Sequence, residues 1–323
     1  MDRPVHFTIQ KEIQSDQLVI TVKNIHTQEY FSLLPYSGAR LRELHLSNGT
    51  KVISILKKIK DPVSFARDEI FTNAKLSPFA GRISNGSYKI ENSNYQLPVN
   101  YPEENNACHG FVYDKKFNGV ETNIQDDRAI CSLKYEYDKL TVGFPFTYSI
   151  VLIYTLTTAG DFICETKVTN HSKSAIPLSD GWHHYFDLGE TVNDLKLGLE
   201  TSELMELDGR NIPTGKKVPF SNYSIPEKIG EQFFDSCFHL NCQNGKAVTR
   251  LISERNGIDL EVWQETGPNK YNYLVIYTPP DRQSIAIEPM SSNVNAFNNK
   301  EDLIMLEPES EIILKFGIIL RKK

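Results

Sequence analysis

The ten residues Ser179-Asp-Gly-Trp-His-His-Tyr-Phe-Asp-Leu188 decide the fold class that the sequence predicts. Tryptophan, tyrosine and phenylalanine favour the pleated, half-buried surface of a β-strand, and successive side chains of a strand point to opposite faces. The two faces would carry His183, Tyr185 and Asp187 on one side and Trp182, His184 and Phe186 on the other. We expect one histidine to face a functional surface. The alternative is a purely structural strand whose histidines are satisfied by hydrogen bonds.

Short strands separated by turn residues continue on both sides of this stretch. Ser149–Leu156 and Phe162–Thr169 are rich in alternating β-favouring residues, and the connector between them predicts a long antiparallel hairpin. Glu311–Leu320 alternates and ends in an apolar run, which predicts a central strand. The Asn-Gly pair at 48–49 predicts a hairpin turn. Further strands are predicted over Gln17–Asn24, Tyr30–Leu34, Arg40–Leu46, Asp259–Gln264, Tyr273–Thr278 and Ser284–Glu288.

The whole chain has the pattern of an all-β protein. No helix-period pattern exceeds about three turns, the length of an average helix. Many short strands with Gly, Pro and Asn turns predict a large antiparallel β-sandwich or barrel. No linker, low-complexity tract, charge run or obvious repeat divides the sequence. We therefore expect a single domain over residues 1–323.

Composition excludes several classes of partner. The 323 residues are 40% hydrophobic and 24% charged, as in ordinary soluble globular proteins. A net charge of −6 argues against a nucleic-acid partner, which requires a basic face. Met1–Gln10 lacks the apolar core of a signal peptide, and no apolar run is long enough to span a bilayer. Five scattered cysteines favour reduced thiols, so we expect a cytoplasmic protein.

Two segments carry candidate ligand-binding residues. Arg82 lies in Phe79–Tyr88 between small residues that allow close approach, and its five N–H donors suit sugar hydroxyls or carboxylates. A surface ion pair is the alternative. His109 lies beside a glycine in Asn105–Gly110, a predicted loop, and loops on rigid scaffolds carry functional residues. Cys108 precedes it, but no second Cys or His follows at zinc-finger spacing, so no metal is predicted.

Two carboxylates are also candidates. Asp235 lies among apolar residues in Phe233–Phe238, where a buried carboxylate needs a hydrogen-bonding partner; a helix or turn cap is the alternative. Glu288 ends an apolar strand and precedes a proline, so we expect it where the strand opens into a loop. An exposed strand-end glutamate is the alternative. The Cys-x-His-x-x-Cys pattern at 237–242 has too few matched partners for a ligand cluster.

In their order, these segments resemble the motifs of the aldose 1-epimerase (galactose mutarotase) family. The matching pieces are Gly81-Arg-Ile83, His109-Gly110, the Gly-Trp-His-His-Tyr-Phe-Asp-Leu run at 181–188, Asp235-Ser-Cys-Phe238, Glu288-Pro-Met290 and Asn295-Ala-Phe-Asn298. They span roughly residues 38–298. The resemblance implies a large antiparallel β-sandwich, the galactose mutarotase-like supersandwich. It also implies interconversion of the α and β anomers of free aldoses without metal or organic cofactor.

The resemblance further implies roles for five residues. The family's general acid falls on His183 and its general base on Glu288. Arg82, His109 and Asp235 fall on positions that bind sugar hydroxyls or help to polarise the ring oxygen. An acid and a base of separated pKa, on opposite sides of the reacting unit, suffice for ring opening. In that reaction Glu288 accepts the proton of the O1 hydroxyl while His183 protonates the ring oxygen.

Two positions depart from the best-known members, which carry Asn where this chain has Gly81 and Trp182. A tryptophan at the position of Trp182 resembles the pattern of a less characterised bacterial branch of the family. The two departures bear on the identity of the sugar more than on the chemistry. His184 occupies a variable position beside the catalytic histidine. The expected partner is a small-molecule sugar, with no nucleic acid and no membrane, and either a monomer or a homodimer is compatible with the sequence.

Three other functions are compatible with the same segments. A hexose-6-phosphate 1-epimerase requires extra cations at the pocket rim, and Lys115 and Lys116 follow His109 closely. A glycoside hydrolase uses two carboxylates, and Asp235 and Glu288 are available, but the histidine motif is then unexplained. A non-catalytic sugar-binding module keeps the pocket without needing a matched acid and base.

Overall fold

The structure, a computed structural model, describes residues 6–59, 70–139, 141–240 and 245–321. Short strands make up nearly all of the regular secondary structure of these residues. They are β1 (Phe7–Gln14), β2 (Gln17–Asn24), β3 (Tyr30–Leu34), β4 (Arg40–Ser47), β5 (Val52–Ser54), β6 (Ala74–Leu76), β7 (Arg82–Ser84), β8 (Ser87–Ile90), β9 (Ser93–Gln96), β10 (Asn106–Cys108), β11 (Gly119–Ile124), β12 (Arg128–Asp138), β13 (Thr147–Thr157), β14 (Phe162–Asn170), β15 (Ile176–Leu178), β16 (Gly181–Phe186), β17 (Lys196–Leu199), β18 (Thr201–Leu207), β19 (Pro213–Pro219), β20 (Glu227–Lys228), β21 (Asp235–Leu240), β22 (Lys246–Ser253), β23 (Ile258–Glu265), β24 (Tyr273–Tyr277), β25 (Ile285–Met290), β26 (Ile304–Leu306) and β27 (Glu311–Leu320). The helical elements of these residues are α1 (Ala296–Asn299) and the 3₁₀-helices Pro102–Glu104 and Val192–Asp194.

Two large sheets and a smaller one form the body of the fold. Counting only described residues, the largest has nine strands in the order β11-β12-β13-β14-β27-β23-β22-β17-β20, and the second has seven in the order β19-β18-β21-β24-β25-β16-β6. A five-stranded sheet has the order β1-β2-β3-β4-β5. Neighbouring strands pair antiparallel throughout these sheets. The predicted all-β class is confirmed.

The predicted strands are found close to their expected bounds. β2, β3 and β27 have the predicted limits, and β13 and β14 pair as the predicted antiparallel hairpin. β27 is the fifth of nine strands, between β14 and β23, so its predicted central position is confirmed. The Asn-Gly pair at 48–49 joins β4 to β5, which pair with each other as predicted.

Strand β16 joins the two large sheets through one of its faces. Trp182 is fully buried, and its ring lies 5.6 Å from the ring of Phe316 on β27 and 6.1 Å from that of Tyr154 on β13. Both partners belong to the nine-stranded sheet, so the two sheets pack face to face around an apolar core, which confirms the predicted sandwich. His183 and Tyr185 point the other way, as the alternation predicted, and line a pocket.

The expected position of Glu288 at the end of a strand is wrong. Strand β25 continues through Pro289 to Met290, and Glu288 is only 2% exposed. The register of β16 and β25 pairs Gly181 with Met290 and His184 with Ile287. The ladder is interrupted between those two pairs, opposite Pro289. A proline has no N–H to donate to a ladder, so this interruption allows the strand to continue where the sequence predicted a loop.

The cysteines and the N-terminal segment lie only partly within the described residues. Cys108, Cys131, Cys164 and Cys237 are free and buried, and Cys242 lies outside the described residues. Residues 1–5, the first half of the segment considered for a signal peptide, also lie outside them. In the part of the chain that the structure describes, no helix is long and apolar enough to cross a membrane.

Candidate active site

A pocket of about 150 Å³ lies on the face of the seven-stranded sheet opposite the core. Its floor comes from β16, β25, β24 and β21, because every second side chain of a strand points to the same face. A wall from the chain between Gly81 and His109 stands over that floor. The lining residues are Ile70, Phe71, Gly81, Arg82, Tyr101, Glu104, Cys108, His109, His183, Tyr185, Leu207, Asp235, Ser236, Cys237, Val275, Tyr277, Glu288, Met290 and Val294.

His183 and Glu288 form a cross-strand pair at the bottom of this pocket. The register of β16 and β25 brings these two residues opposite each other at the interrupted part of the ladder, where cross-strand neighbours point to the same face. His183 Nε2 lies 3.3 Å from Glu288 Oε1, and both side chains are almost fully buried. The two groups are therefore in contact at the bottom of the pocket. Any substrate must meet both from the open side of the pocket.

Burial sets the proton affinity of Glu288. Its pKa lies well above the ordinary value, because removal from water disfavours the carboxylate and nearby Asp235 adds to the effect, while Arg82 opposes it. A carboxylate with a raised pKa is a stronger base than an exposed one. Glu288 can therefore accept a proton from a group that an ordinary glutamate would leave protonated.

His109 is held in the pocket wall as a neutral hydrogen-bond donor. Its backbone has a φ of +64°, and its Nδ1 accepts a hydrogen bond of 3.3 Å from the backbone N–H of Gly81. With Nδ1 as acceptor, the proton of the neutral ring is on Nε2. Burial lowers the pKa of His109 well below its ordinary value, and His183 and Arg82 lower it further. At neutral pH the ring can donate a hydrogen bond from Nε2 without carrying charge.

Arg82 joins two carboxylates at the edge of the pocket. Its Nε and Nη2 donate hydrogen bonds of 2.5 Å and 3.1 Å to the two carboxylate oxygens of Glu104. Nη2 also lies 3.9 Å from Asp235 Oδ2. Burial raises the pKa of Asp235, Glu104 raises it further, and Arg82 opposes both. The ion pair considered for Arg82 exists, but it lies inside the pocket rather than on the open surface.

All five site residues predicted from the sequence line this one pocket. They are Arg82, His109, His183, Asp235 and Glu288. Sequence reasoning missed Glu104, Tyr101 and Tyr277, which also line it. Glu104 ends a short 3₁₀-helix in a polar Pro-Glu-Glu-Asn-Asn segment, and only its position a few residues before His109 could have indicated it.

The two departures from the family pattern have different structural settings. Trp182 points into the core and does not line the pocket. Gly81 lines the pocket with a φ of +66°, and a Cβ atom built there lies 3.2 Å from Val294 Cγ2. A residue with a side chain at Gly81 would occupy left-handed backbone and displace Val294. Of the two departures, only Gly81 changes the surface that a ligand meets.

A buried ion pair lies behind the pocket floor. Lys75, on β6 beside β16, pairs with Asp180, and both side chains are fully buried. Lys75 Nζ also donates a hydrogen bond of 2.9 Å to the carbonyl of Gly181, and the hydroxyl of Tyr271 donates a hydrogen bond of 2.8 Å to Asp180. The backbone N–H of Ser291, just beyond β25, donates 2.9 Å to the carbonyl of Asp180. The ion pair is therefore linked to the strands of both His183 and Glu288.

The polar residues of the pocket do not form a metal-binding set. Among the described residues, no group of three or more His, Cys, Asp or Glu side chains is placed to hold a metal ion. Burial raises the pKa of the Cys108 thiol to about 12, so this pocket cysteine remains protonated at neutral pH. The arrangement provides a buried histidine–carboxylate pair surrounded by hydrogen-bonding groups, which suits proton transfer on a polyhydroxylated ligand.

Comparison with known proteins gives matches over most of the chain. The sequence model of the family described as aldose 1-epimerase matches residues 23–318. The uncharacterised Escherichia coli protein YihR is 24% identical over 254 residues, which cover 77% of this chain and 79% of YihR. Human galactose mutarotase is 23% identical over 249 residues, 67% of this chain and 69% of its own. The crystal structure of a galactose mutarotase-like protein from Clostridium acetobutylicum has a TM-score of 0.85 at 21% identity, covering 98% and 99% of the two chains.

Proposed function

Because the chain belongs to the aldose 1-epimerase family, we propose that it interconverts the α and β anomers of a free aldohexose such as glucose or galactose. The observation that carries the proposal is the contact of 3.3 Å between His183 and Glu288 at the bottom of the pocket. A histidine and a carboxylate in contact supply an acid and a base to two oxygens bonded to one carbon atom, and the anomeric carbon C1 carries such a pair, O1 and O5.

In the proposed mechanism, the reaction begins with Glu288 ionised and His183 protonated. Glu288 takes the proton of the O1 hydroxyl, a C=O bond forms between C1 and O1, and the C1–O5 bond breaks. Its electron pair remains on O5, which takes a proton from His183. Rotation about the C1–C2 bond then exposes the other face of the aldehyde. Reversal of both proton transfers closes the ring as the opposite anomer and restores both side chains.

The pocket wall supports this reaction by holding the sugar. Nε2–H of His109 is a neutral donor, and Arg82 and Asp235 supply a fixed donor and a fixed acceptor for hydroxyl groups. Holding the ring against the pair reduces the entropy that the transition state must lose. Each positioned proton-transfer group contributes about 10²–10⁴-fold in rate.

Among the described residues, the pocket lining lacks the extra cations that the phosphorylated alternative requires. Lys115 and Lys116 do not line the pocket. Lys115 pairs with Asp114 at 2.8 Å, and Nζ of Lys116 lies 3.8 Å from the ring centroid of Tyr36. Arg82 is the only Lys or Arg among the described lining residues. A neutral aldose therefore fits the pocket better than a hexose 6-phosphate.

Two-dimensional exchange NMR on equilibrated sugars tests the proposal, because it measures interconversion of anomers directly. We expect the protein to accelerate exchange of glucose or galactose well above the spontaneous rate and to act poorly on glucose 6-phosphate. No acceleration with any neutral aldose overturns the proposal. Faster exchange of glucose 6-phosphate than of glucose replaces it with the phosphorylated alternative, and release of reducing ends from a glycan replaces it with a hydrolase.

A further inference from the structure

Glu104 is a pocket residue to which neither the family motifs nor the proposed mechanism gives a role. It ends the 3₁₀-helix Pro102–Glu104, and its side chain is half-buried in the pocket wall. Both carboxylate oxygens accept hydrogen bonds from Arg82, at 2.5 Å and 3.1 Å. This two-point contact is the strongest geometry an arginine makes with a carboxylate, and it occupies one whole edge of the guanidinium.

The carboxylate of Glu104 is fixed independently of Arg82. Asn211 Nδ2 donates a hydrogen bond of 2.9 Å to Glu104 Oε1, and Asn106 Nδ2 donates a hydrogen bond of 3.2 Å to Glu104 Oε2. Arg210 Nε donates 2.7 Å to the backbone carbonyl of Glu104. Burial acts to raise the pKa of Glu104, but the hydrogen bonds from Arg82, Asn211 and Asn106 outweigh it, so that its pKa is lowered. Glu104 is therefore ionised and in place before any ligand binds.

Glu104 also decides the charge balance of the pocket. Arg82 is the only Lys or Arg among the described lining residues, whereas Glu104, Asp235 and Glu288 all line the pocket. His109 adds no charge at neutral pH, because its pKa is lowered well below the ordinary value. With Glu104 present, the charge of Arg82 is balanced by a partner that touches it.

We propose that Glu104 determines the specificity of the pocket for neutral sugars, by occupying the edge of Arg82 that would otherwise bind an anionic group. The inference rests on the proposed function for its substrate class. Arginine has five N–H donors, and Glu104 takes two, which leaves donors for hydroxyl groups. A carboxylate on the ligand, as in a hexuronate, must compete with Glu104 for this edge or use the donors that Glu104 leaves, and it bears the same negative charge as Glu104. Without Glu104, the same arginine becomes a carboxylate site.

The test compares Glu104→Gln with Glu103→Gln. Both substitutions remove one negative charge from neighbouring positions, but Glu103 is exposed and does not line the pocket. Binding of D-galactose, D-glucose, D-galacturonate and D-glucuronate is measured by titration calorimetry, and anomer exchange of the same four sugars by NMR. We expect Glu104→Gln to shift the ratio of hexuronate to neutral-sugar affinity by about tenfold or more toward the hexuronate. Glu103→Gln should leave that ratio as in the wild type.

Equal ratios of hexuronate to neutral-sugar affinity in the two variants overturn the role of Glu104. A parallel loss of affinity for both classes of sugar also overturns it, because that result indicates a merely structural role. The proposed function fails separately. If the wild type accelerates no anomer exchange but Glu104→Gln still shifts the binding ratio, the role of Glu104 stands without the epimerase. If the wild type exchanges neutral anomers and the ratio does not shift, the epimerase stands without this role.

Discussion

His183 and His184 are neighbours on β16, both are buried, and their surroundings differ in kind. His183 contacts the carboxylate of Glu288 in the pocket. His184 stacks on Trp182 at 5.2 Å, with an angle of 20° between the rings, and lies 5.4 Å from the ring of Phe316. Neither ring nitrogen of His184 has a hydrogen-bond partner among the described residues. A repeat of two residues along a strand thus separates a histidine in contact with a pocket carboxylate from a histidine packed against aromatic rings of the core.

The energetic consequences of the two faces also differ. Burial lowers the pKa of His184 to about 3, with further lowering from His183 and Lys75. The core-facing ring is therefore neutral throughout the physiological range and contributes no acid or base. On the pocket face, burial instead gives Glu288 the raised pKa that suits a base. Desolvation therefore keeps the His184 ring neutral and makes the Glu288 carboxylate a stronger base.

The largest effect is expected from Glu288→Gln on the pocket face. Loss of the base should lower kcat by about 10²–10⁴-fold. Between the ordinary pKa of a glutamate and the raised value of Glu288, the folded state binds more protons than the unfolded state, so wild-type stability falls as pH rises through this window. Glutamine does not ionise, so the variant should melt at a higher temperature than the wild type at neutral pH. Exchange NMR and calorimetric melting check both parts, and a variant that is active or less stable contradicts the assignment.

Lys75→Met, behind the pocket floor, should have the next largest effect. It leaves Asp180 as an uncompensated buried charge, and such losses cost about 3–5 kcal/mol in the free energy of unfolding. Urea denaturation measures the change, and Lys75→Met/Asp180→Asn should recover part of it because the buried charge is removed. A loss below about 1 kcal/mol would show that the ion pair is not a stabilising link between the two strands.

On the core face, His184→Leu should leave kcat within about twofold of the wild type and stabilise the fold by about 1 kcal/mol or more, because it removes buried polar atoms without partners. The stabilisation should grow as pH falls below the ordinary histidine value. The unfolded wild type then gains a proton at His184 that the folded state excludes down to about pH 3. Urea denaturation at pH 7 and pH 5 checks this. A gain that shrinks on acidification contradicts it.

A smaller effect is expected in the pH profile of the wild type. Since the base must be ionised, kcat/KM should fall at acid pH with an apparent pKa above the value of about 4.3 that an exposed glutamate shows. Exchange rates measured across the acid range give this apparent pKa. A rate that remains constant down to that ordinary value would exclude Glu288 as the base.

The sequence predicted the part of the site that depends on local pattern. Alternation alone assigned His183 to one face of β16 and His184 to the other. The family motifs gave five residues that the fold brings into one pocket. Glu288 was misplaced at a strand end, because a proline after it usually ends a strand. The interrupted ladder between β16 and β25 that accommodates Pro289 depends on pairing between segments about a hundred residues apart.

Two side chains with distant partners, Glu104 and Lys75, belong to no family motif and were not predicted. Glu104 and its partner Arg82 are separated by 22 residues in the sequence. Lys75 and its partner Asp180 are separated by 105 residues. No local pattern marks a lysine that will be fully buried, since lysines are almost always exposed. These residues acquire their roles only once the strands are paired.

Anomer exchange in His183→Leu beside His184→Leu, measured by NMR on galactose at neutral pH, directly compares the pocket face and the core face of β16. The same substitution is made at neighbouring positions, so composition and chain context are matched. We expect a loss of about 10²-fold or more for His183→Leu and near wild-type exchange for His184→Leu. Equal losses in the two variants, or full exchange in His183→Leu, would contradict the assignment of proton transfer to the pocket face of β16.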